Sequence, residues 1–199
     1  DRQKMSKTKG NVLDPIEVIE KYGTDAVRFT LAAMASPGTD IAFSESRTEG
    51  YRNFANKLWN AARFLLMNLE RAGGHEAITR WFQSRGEGGR DLETRLEDRW
   101  IQSRLQRVTQ EVNGSLRAYR FDEAAKAVYD FFWGEFCDWY IEMVKPRLVG
   151  AGESDAEKFS AYSALMHLLV AFQQGLLLLA PFMPFLTEEL WYALHDGKP

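Results

Sequence analysis

The sequence predicts an all-α fold, an antiparallel helical bundle preceded by a small loop-plus-helices segment. Three observations predict it. Apolar residues recur at spacings of three and four over stretches too long for strands, helix-start signals stand ahead of several of those stretches, and glycine or proline turns separate them. At 199 residues, 45% of them hydrophobic, the chain can bury one good-sized core.

Asp14-Pro15-Ile16-Glu17 reads as a helix start, with Asp14 as N-cap, Pro15 at the first helical position and Glu17 placed for a capping box; Gly23 ends that helix. A second helix follows from Thr24 to about Ala35, with Val27, Leu31 and Met34 on one face, and Ser36-Pro37-Gly38 closes it. Residues 40–44 alternate briefly, as a short extended link would.

From Ser44 to Arg71 the pattern predicts one long amphipathic helix. Tyr51, Phe54, Ala55, Leu58, Ala62, Leu65, Leu66 and Leu69 share one side, the core side. Arg52, Asn53, Asn56, Lys57, Asn60, Arg63, Phe64 and Met67 share the other. Solvated helix faces usually carry glutamate and lysine, whereas this one carries three asparagines, cations, an aromatic and no acid.

Gly73-Gly74 stops that helix, and residues 73–90 read as a connecting loop. A third long helix is expected over Glu93–Tyr119, with Leu96, Trp100, Leu105, Val108 and Val112 inward. Asp122 then caps a helix reaching Val144, so rich in aromatics that it should be central, and Pro146 interrupts it. Ser154-Asp155-Ala156-Glu157 is a second capping box, opening a helix to Ala180. Pro181 and Pro184 turn the chain, and Thr187-Glu188-Glu189 starts a last short helix. Two units result: 1–43, a loop with connecting helices, and 44–199, the bundle.

Net charge is −3, which argues against indiscriminate nucleic-acid binding; an anionic partner would need a local basic patch. Cys137 is the only cysteine, so no internal disulfide can form, and its apolar surroundings predict a packing role in a reducing, cytoplasmic compartment. His75, His167 and His195 lack metal-ligand spacing, so no metal site is expected. The longest apolar run, Leu176 to Met183, is short for a membrane span and contains Pro181, so no membrane partner is expected either. Trp100, Trp133, Trp139 and Trp191 read as core, Asp98-Arg99 as a structural pair, and Glu188-Glu189 as first-turn acids complementing a helix dipole. Opening on Asp1 suggests a piece of a longer protein.

The most distinctive stretch is Lys4-Met5-Ser6-Lys7-Thr8-Lys9-Gly10-Asn11-Val12. Arg2, Lys4, Lys7 and Lys9 crowd together, separated by hydroxyls and followed by Gly-Asn, a spacing that lets ammonium groups and backbone N–H groups converge on a polyphosphate. A solvated lysine-rich tail has the same composition. It is not a P-loop, because the Gly-Lys-Ser/Thr ending is missing.

This stretch resembles the KMSKS signature loop of class I aminoacyl-tRNA synthetases, with Thr8 where the last serine usually stands. Tyr22-Gly23-Thr24-Asp25-Ala26-Val27-Arg28-Phe29, Arg52 to Phe64 and Pro181 to Trp191 extend the resemblance over nearly the whole chain apart from 73–90. The Asn56-Lys57-Leu58-Trp59-Asn60-Ala61-Ala62-Arg63-Phe64 block favours the valine-specific branch; the isoleucine- and leucine-specific branches share the first and last blocks more loosely.

The resemblance implies a fragment of a ligase that activates valine with ATP, accompanied by Mg in the full-length enzyme, and transfers it to tRNA(Val). Lys4 and Lys7 match the catalytic lysines that neutralise the departing phosphates, while Met5, Ser6 and Thr8 would seat ATP. The bundle matches the anticodon-binding domain. Asn53, Asn56 and Asn60 would then meet base edges, Lys57 and Arg63 phosphates or bases, and Phe64 an unpaired base, with Arg47 as a further candidate. Against that stands a second reading, in which Phe64 packs under a neighbouring helix and the asparagines tie helices together. A Rossmann half with a His-x-Gly-His motif, which this sequence lacks, and an editing domain would act in cis. The piece alone is therefore expected to be inactive, to hold no ATP, and to be monomeric. A non-catalytic RNA-binding helical module is the alternative from another class.

Overall fold

The computed structural model describes residues 5–10, 12–85, 92–149 and 154–195. A 3₁₀ turn at Lys7–Lys9 leads into α1 (Pro15–Tyr22), α2 (Thr24–Ala33), α3 (Glu45–Arg71), α4 (Gly74–Ser84), α5 (Leu96–Arg117) and α6 (Phe121–Asp130). A π-helical stretch, Phe131–Tyr140, joins α6 to α7 (Ile141–Val149), and α8 (Asp155–Leu179) and α9 (Pro184–Leu194) complete the chain. No strand occurs among the described residues.

Four rods form the bundle: α3, α5, the α6–π–α7 rod and α8. The rungs between them set the directions. Arg104 meets Glu135 at 2.6 Å and Tyr140 reaches Asp98 at 2.7 Å, so α5 runs antiparallel to the π-helical stretch. Lys57 meets Asp138 at 2.5 Å and Lys145 stands over the Phe64 ring, so α3 runs parallel to it. Both α3 and α5 pack on α8 and on the π-helical stretch, with little contact between themselves. They therefore lie across the bundle from each other.

Phe54, Phe131, Phe132, Phe136, Phe172 and Tyr140 are fully buried at the centre, beside Leu58, Leu65, Ile101 and Leu165. Each such ring contributes about 2–3 kcal/mol by leaving water. The π-helical stretch holds three of these phenylalanines and Tyr140, and its wider turn closes with the Ile141 N–H donating to the Phe136 carbonyl. Its fit depends on Gly175. A Cβ there would stand 2.5 Å from Cζ of Phe132, so only glycine lets that ring lie against α8.

Two of the signalled caps form, at Asp14 and Ser154, while Glu17 closes no box with Asp14. Asp14 accepts the Ile16 N–H at 2.8 Å ahead of Pro15, and Ser154 and Glu157 form both halves of their capping box. Ser44 caps α3 through the Arg47 N–H. The core side of α3 agrees closely with the counted face, with Phe54, Leu58, Ala62, Leu65 and Leu69 buried.

Six local expectations are corrected. The expected loop at 73–90 contains α4, because Ile78 is buried and Trp81 packs edge-on against Tyr162 and beside Phe159; the paired glycines restart the chain in positive φ instead of opening a loop. Leu96 and Leu31 point outward, and Ile101 takes the inward place on α5. Helix α7 runs through Pro146, since both Pro146 and Glu142, whose carbonyl loses its partner, face solvent. Trp139 is 63% exposed and so is not core. Glu188 and Glu189 fall in the second turn of α9, which starts at Pro184. Asp122 lies inside α6, where it pairs with Arg120 and Ser36, and does not stand ahead of the helix as its N-cap.

Asp98 does not pair with the exposed Arg99. Its fully buried carboxylate accepts from Arg147 at 2.7 Å, from the Tyr140 hydroxyl at 2.7 Å and from the Arg95 N–H at 2.9 Å. Arg147 also reaches Glu97 at 3.2 Å and the Ser160 carbonyl at 3.2 Å, so one guanidinium ties α5, α7 and α8 together. No buried side-chain nitrogen or oxygen among the described residues lacks a partner. Half-buried Cys137 has its thiol pushed up to about 12 by that burial, which makes it an inert packing group. By length and composition α8 is long and apolar enough to cross a membrane, but its apolar side chains are mostly packed inside the bundle.

Candidate nucleic-acid interface

Two places carry the residues singled out by the sequence. The first is the N-terminal turn. The Lys9 N–H donates to the Ser6 carbonyl at 3.1 Å, closing the 3₁₀ turn, and Gly10 follows at φ 64°, a left-handed conformation that favours glycine. The Ser6 and Thr8 hydroxyls meet at 2.7 Å, so threonine at position 8 keeps the polar link a serine would make. Met5 is 46% exposed, and Thr8 and Lys9 are exposed. Lys4 lies outside the described residues; of Lys7, the backbone belongs to the turn.

The second place is the outward arc of α3. Asn53, Asn56, Asn60 and Arg63 are exposed and have no partner among the described residues, as a surface built to meet something else would be. Arg47, in the first turn, is exposed and lines a shallow cleft with Ser36, Asp40 and Ser44.

Lys57 and Phe64 occupy the flank of the arc, toward the π-helical stretch and α7. Besides its ion pair with Asp138, Lys57 sits 4.0 Å from the centroid of the Trp133 ring, so its charge is held by this protein's own groups. Phe64 is half-buried, packed against the core edge, with Nζ of Lys145 5.8 Å from its ring centre. Packing and partial exposure coexist there.

Trp59 lies on neither of the two faces set out from the sequence. It is 45% exposed and stands one turn before Arg63 and one turn after Asn56, which adds a large aromatic to the arc. The absence of a core partner at its helical position was the only signal for it.

The histidines are engaged structurally. His167 lies between Thr94 at 3.2 Å and Gln102 at 2.8 Å, His75 contacts the Leu194 carbonyl, and His195 stacks on Trp191. No group of three His, Cys, Asp or Glu able to hold a metal ion occurs among the described residues.

The bundle places the chain in the class of helical domains of tRNA ligases. Residues 98–198 match the anticodon-binding domain of tRNA ligases, and residues 1–44 match the class I tRNA synthetases for I, L, M and V. The chain belongs to this anticodon-binding family of tRNA ligases. It is 50% identical over 197 residues to the valine–tRNA ligase of Syntrophotalea carbinolica, covering 99% of this chain and 20% of that protein. The valine–tRNA ligase of Geobacter sulfurreducens is likewise 50% identical over 197 residues, with 99% and 20% covered. That of Aquifex aeolicus is 43% identical, with 98% of this chain and 16% of the relative covered. The chain thus spans about a fifth of the length of these relatives. Among solved structures, the ternary complex of the Agrobacterium radiobacter K84 LeuRS with tRNA and LeuAMS superposes with TM-score 0.63 at 22% identity, over 97% of this chain and 20% of that one, a likeness of fold.

Proposed function

We propose that this chain is the part of a valine–tRNA ligase that carries the ATP-closing loop and the anticodon-binding bundle. Residues 1–43 would end the catalytic domain and residues 44–199 would recognise the anticodon arm of tRNA(Val). The observation that carries the RNA assignment is the arc of α3, where Asn53, Asn56, Asn60 and Arg63 stand unpaired beside Trp59 and the half-buried Phe64. Amide groups hydrogen-bond unstacked base edges, and aromatic rings stack on them.

Valine activation belongs to the whole cytoplasmic enzyme in this reading. Lys4 and Lys7 would neutralise charge on the departing pyrophosphate, and Met5, Ser6 and Thr8 would seat ATP. The Rossmann and editing domains would complete the site in cis, and the ligase would act as a monomer.

The test is binding of a tRNA(Val) anticodon stem-loop to the 199-residue chain. Arg63→Ala and Trp59→Ala are each expected to weaken it by about 1–3 kcal/mol, or roughly 5- to 150-fold, while thermal stability is kept. Unchanged affinity in both, or equal affinity for stem-loops with isoleucine or leucine anticodons, would refute the assignment. Valine-dependent ATP–pyrophosphate exchange by the chain alone is expected to stay at background.

A further inference from the structure

We propose that the outward face of α5 is a second RNA-contacting surface, one that grips phosphates and reads no bases. Arg99, Ser103, Gln106, Arg107, Gln110 and Arg117 recur at helical spacing along one side of α5, and all six are exposed. From Arg99 to Arg117 is five helical turns, about 27 Å. One exposed acid borders the row. Asp98 is buried, and Glu111 lies on the flank toward Arg104 and Lys126, whose charges it influences.

Several cations elsewhere are matched by a carboxylate three or four residues away, as in Arg52–Glu49, Arg120–Glu123, Lys126–Asp130 and Lys145–Glu142, while others, such as Arg47 and Arg63 on α3, make no ion pair among the described residues. Arg99, Arg107 and Arg117 make no ion pair among the described residues, although Glu111 follows Arg107 by one turn. A chain with net charge −3 places three guanidinium groups that make no ion pair along one side of α5. Guanidinium forks bind phosphate oxygens two at a time, and the intervening glutamines and serine are neutral donors of the kind that contact nucleic-acid backbones. The row has no apolar centre between its end arginines, which disfavours a protein partner. Because α5 lies across the bundle from α3, this surface is separate from the anticodon arc and does not depend on it.

A 20-base-pair RNA duplex without a loop, titrated with the 199-residue chain over a salt series, tests the proposal. Relative to the parent, Arg99→Gln/Arg107→Gln/Arg117→Gln is expected to bind at least about tenfold more weakly at low salt, with a log–log salt slope shallower by about 2–3. Arg63→Gln, on α3, is expected to keep the parental slope on this probe. Should the triple variant lose helical circular dichroism, Arg107→Gln alone is expected to flatten the slope by about 0.9. A parent that ignores the duplex, or a variant with parental affinity and slope, overturns the proposal. So does an equal loss of binding to phosphatidylserine vesicles, which would mean a general anion-binding surface.

Discussion

The carboxylate of Asp25, on α2, accepts the backbone N–H of Leu186 at 2.6 Å and that of Phe185 at 3.4 Å, so α2 caps α9 from a position 161 residues earlier. Arg28, one turn further along α2, donates to the Pro181 carbonyl at 3.2 Å. Helix α9 has no acid in its own first turn and no side-chain cap. Asp25 supplies both from outside. Burial raises its pKa, and the two N–H donors act in the opposite direction. Phe29 on the same helix enters the main core against Tyr51, Phe54 and Phe182, so α2 joins the N-terminal segment to the bundle.

Removing this cap is expected to loosen α9. Asp25→Ala should cost about 1–2 kcal/mol, as lost N-caps do, and lower the melting temperature by about 3–6 °C. Asp25→Asn, which keeps an acceptor, should lose less than half of that. Equal melting temperatures for parent and Asp25→Ala in differential scanning calorimetry would show that the cap contributes nothing.

The buried Asp98–Arg147 pair makes a sharper prediction. Asp98→Ala leaves a guanidinium that is 7% exposed without its best partner and the Tyr140 hydroxyl without its acceptor, so a loss of about 3–5 kcal/mol is expected in urea unfolding. Adding Arg147→Met to Asp98→Ala should recover part of it, because no charge is then stranded. If the double variant is less stable than Asp98→Ala, the stranded-charge account fails.

At Gly175 the steric argument can be tested with two variants. Gly175→Ala drives a methyl group into Phe132, and overpacking of this kind costs about 1–3 kcal/mol despite alanine's better helix propensity. Phe132→Leu in the Gly175→Ala background should offset that cost. A double-mutant cycle with no coupling energy would contradict the contact.

Asp122 provides a pH signature. Arg120 chiefly, and Ser36 next, hold its carboxyl well below the usual carboxylate range. A depressed pKa in the folded state contributes stability above the unfolded value, near about 4, and that stability is lost as pH falls through the folded value. The melting-temperature gap between parent and Asp122→Asn should therefore be constant at neutral pH and shrink below about pH 4. A gap that widens on acidification would reverse the sign and reject the assignment.

Much of this was legible beforehand. The long helices, the core side of α3 and the caps at Asp14 and Ser154 follow from periodicity and spacing, which act over a few residues and survive without knowledge of neighbours. The amide-rich arc of α3 was visible for the same reason, since composition on one face of one helix is a local property. Helix α4 escaped because two glycines outweighed a short apolar pattern that only Phe159 and Tyr162 make worth burying. Trp139 escaped because an aromatic helix has more rings than inward positions, and packing decides which are left out.

By itself the sequence determined an all-helical bundle, the positions of most of its helices and the unusual chemistry of α3. Tertiary structure alone decided that Asp25 caps α9, that Arg147 and not Arg99 neutralises Asp98, that Lys57 is held by Asp138 and Trp133, and that α5 turns a row of arginines outward across the bundle from α3. Each of those partnerships spans many tens of residues and depends on the register between packed helices. That register is set by how the buried rings interlock, a property of the whole core that no local stretch of sequence contains.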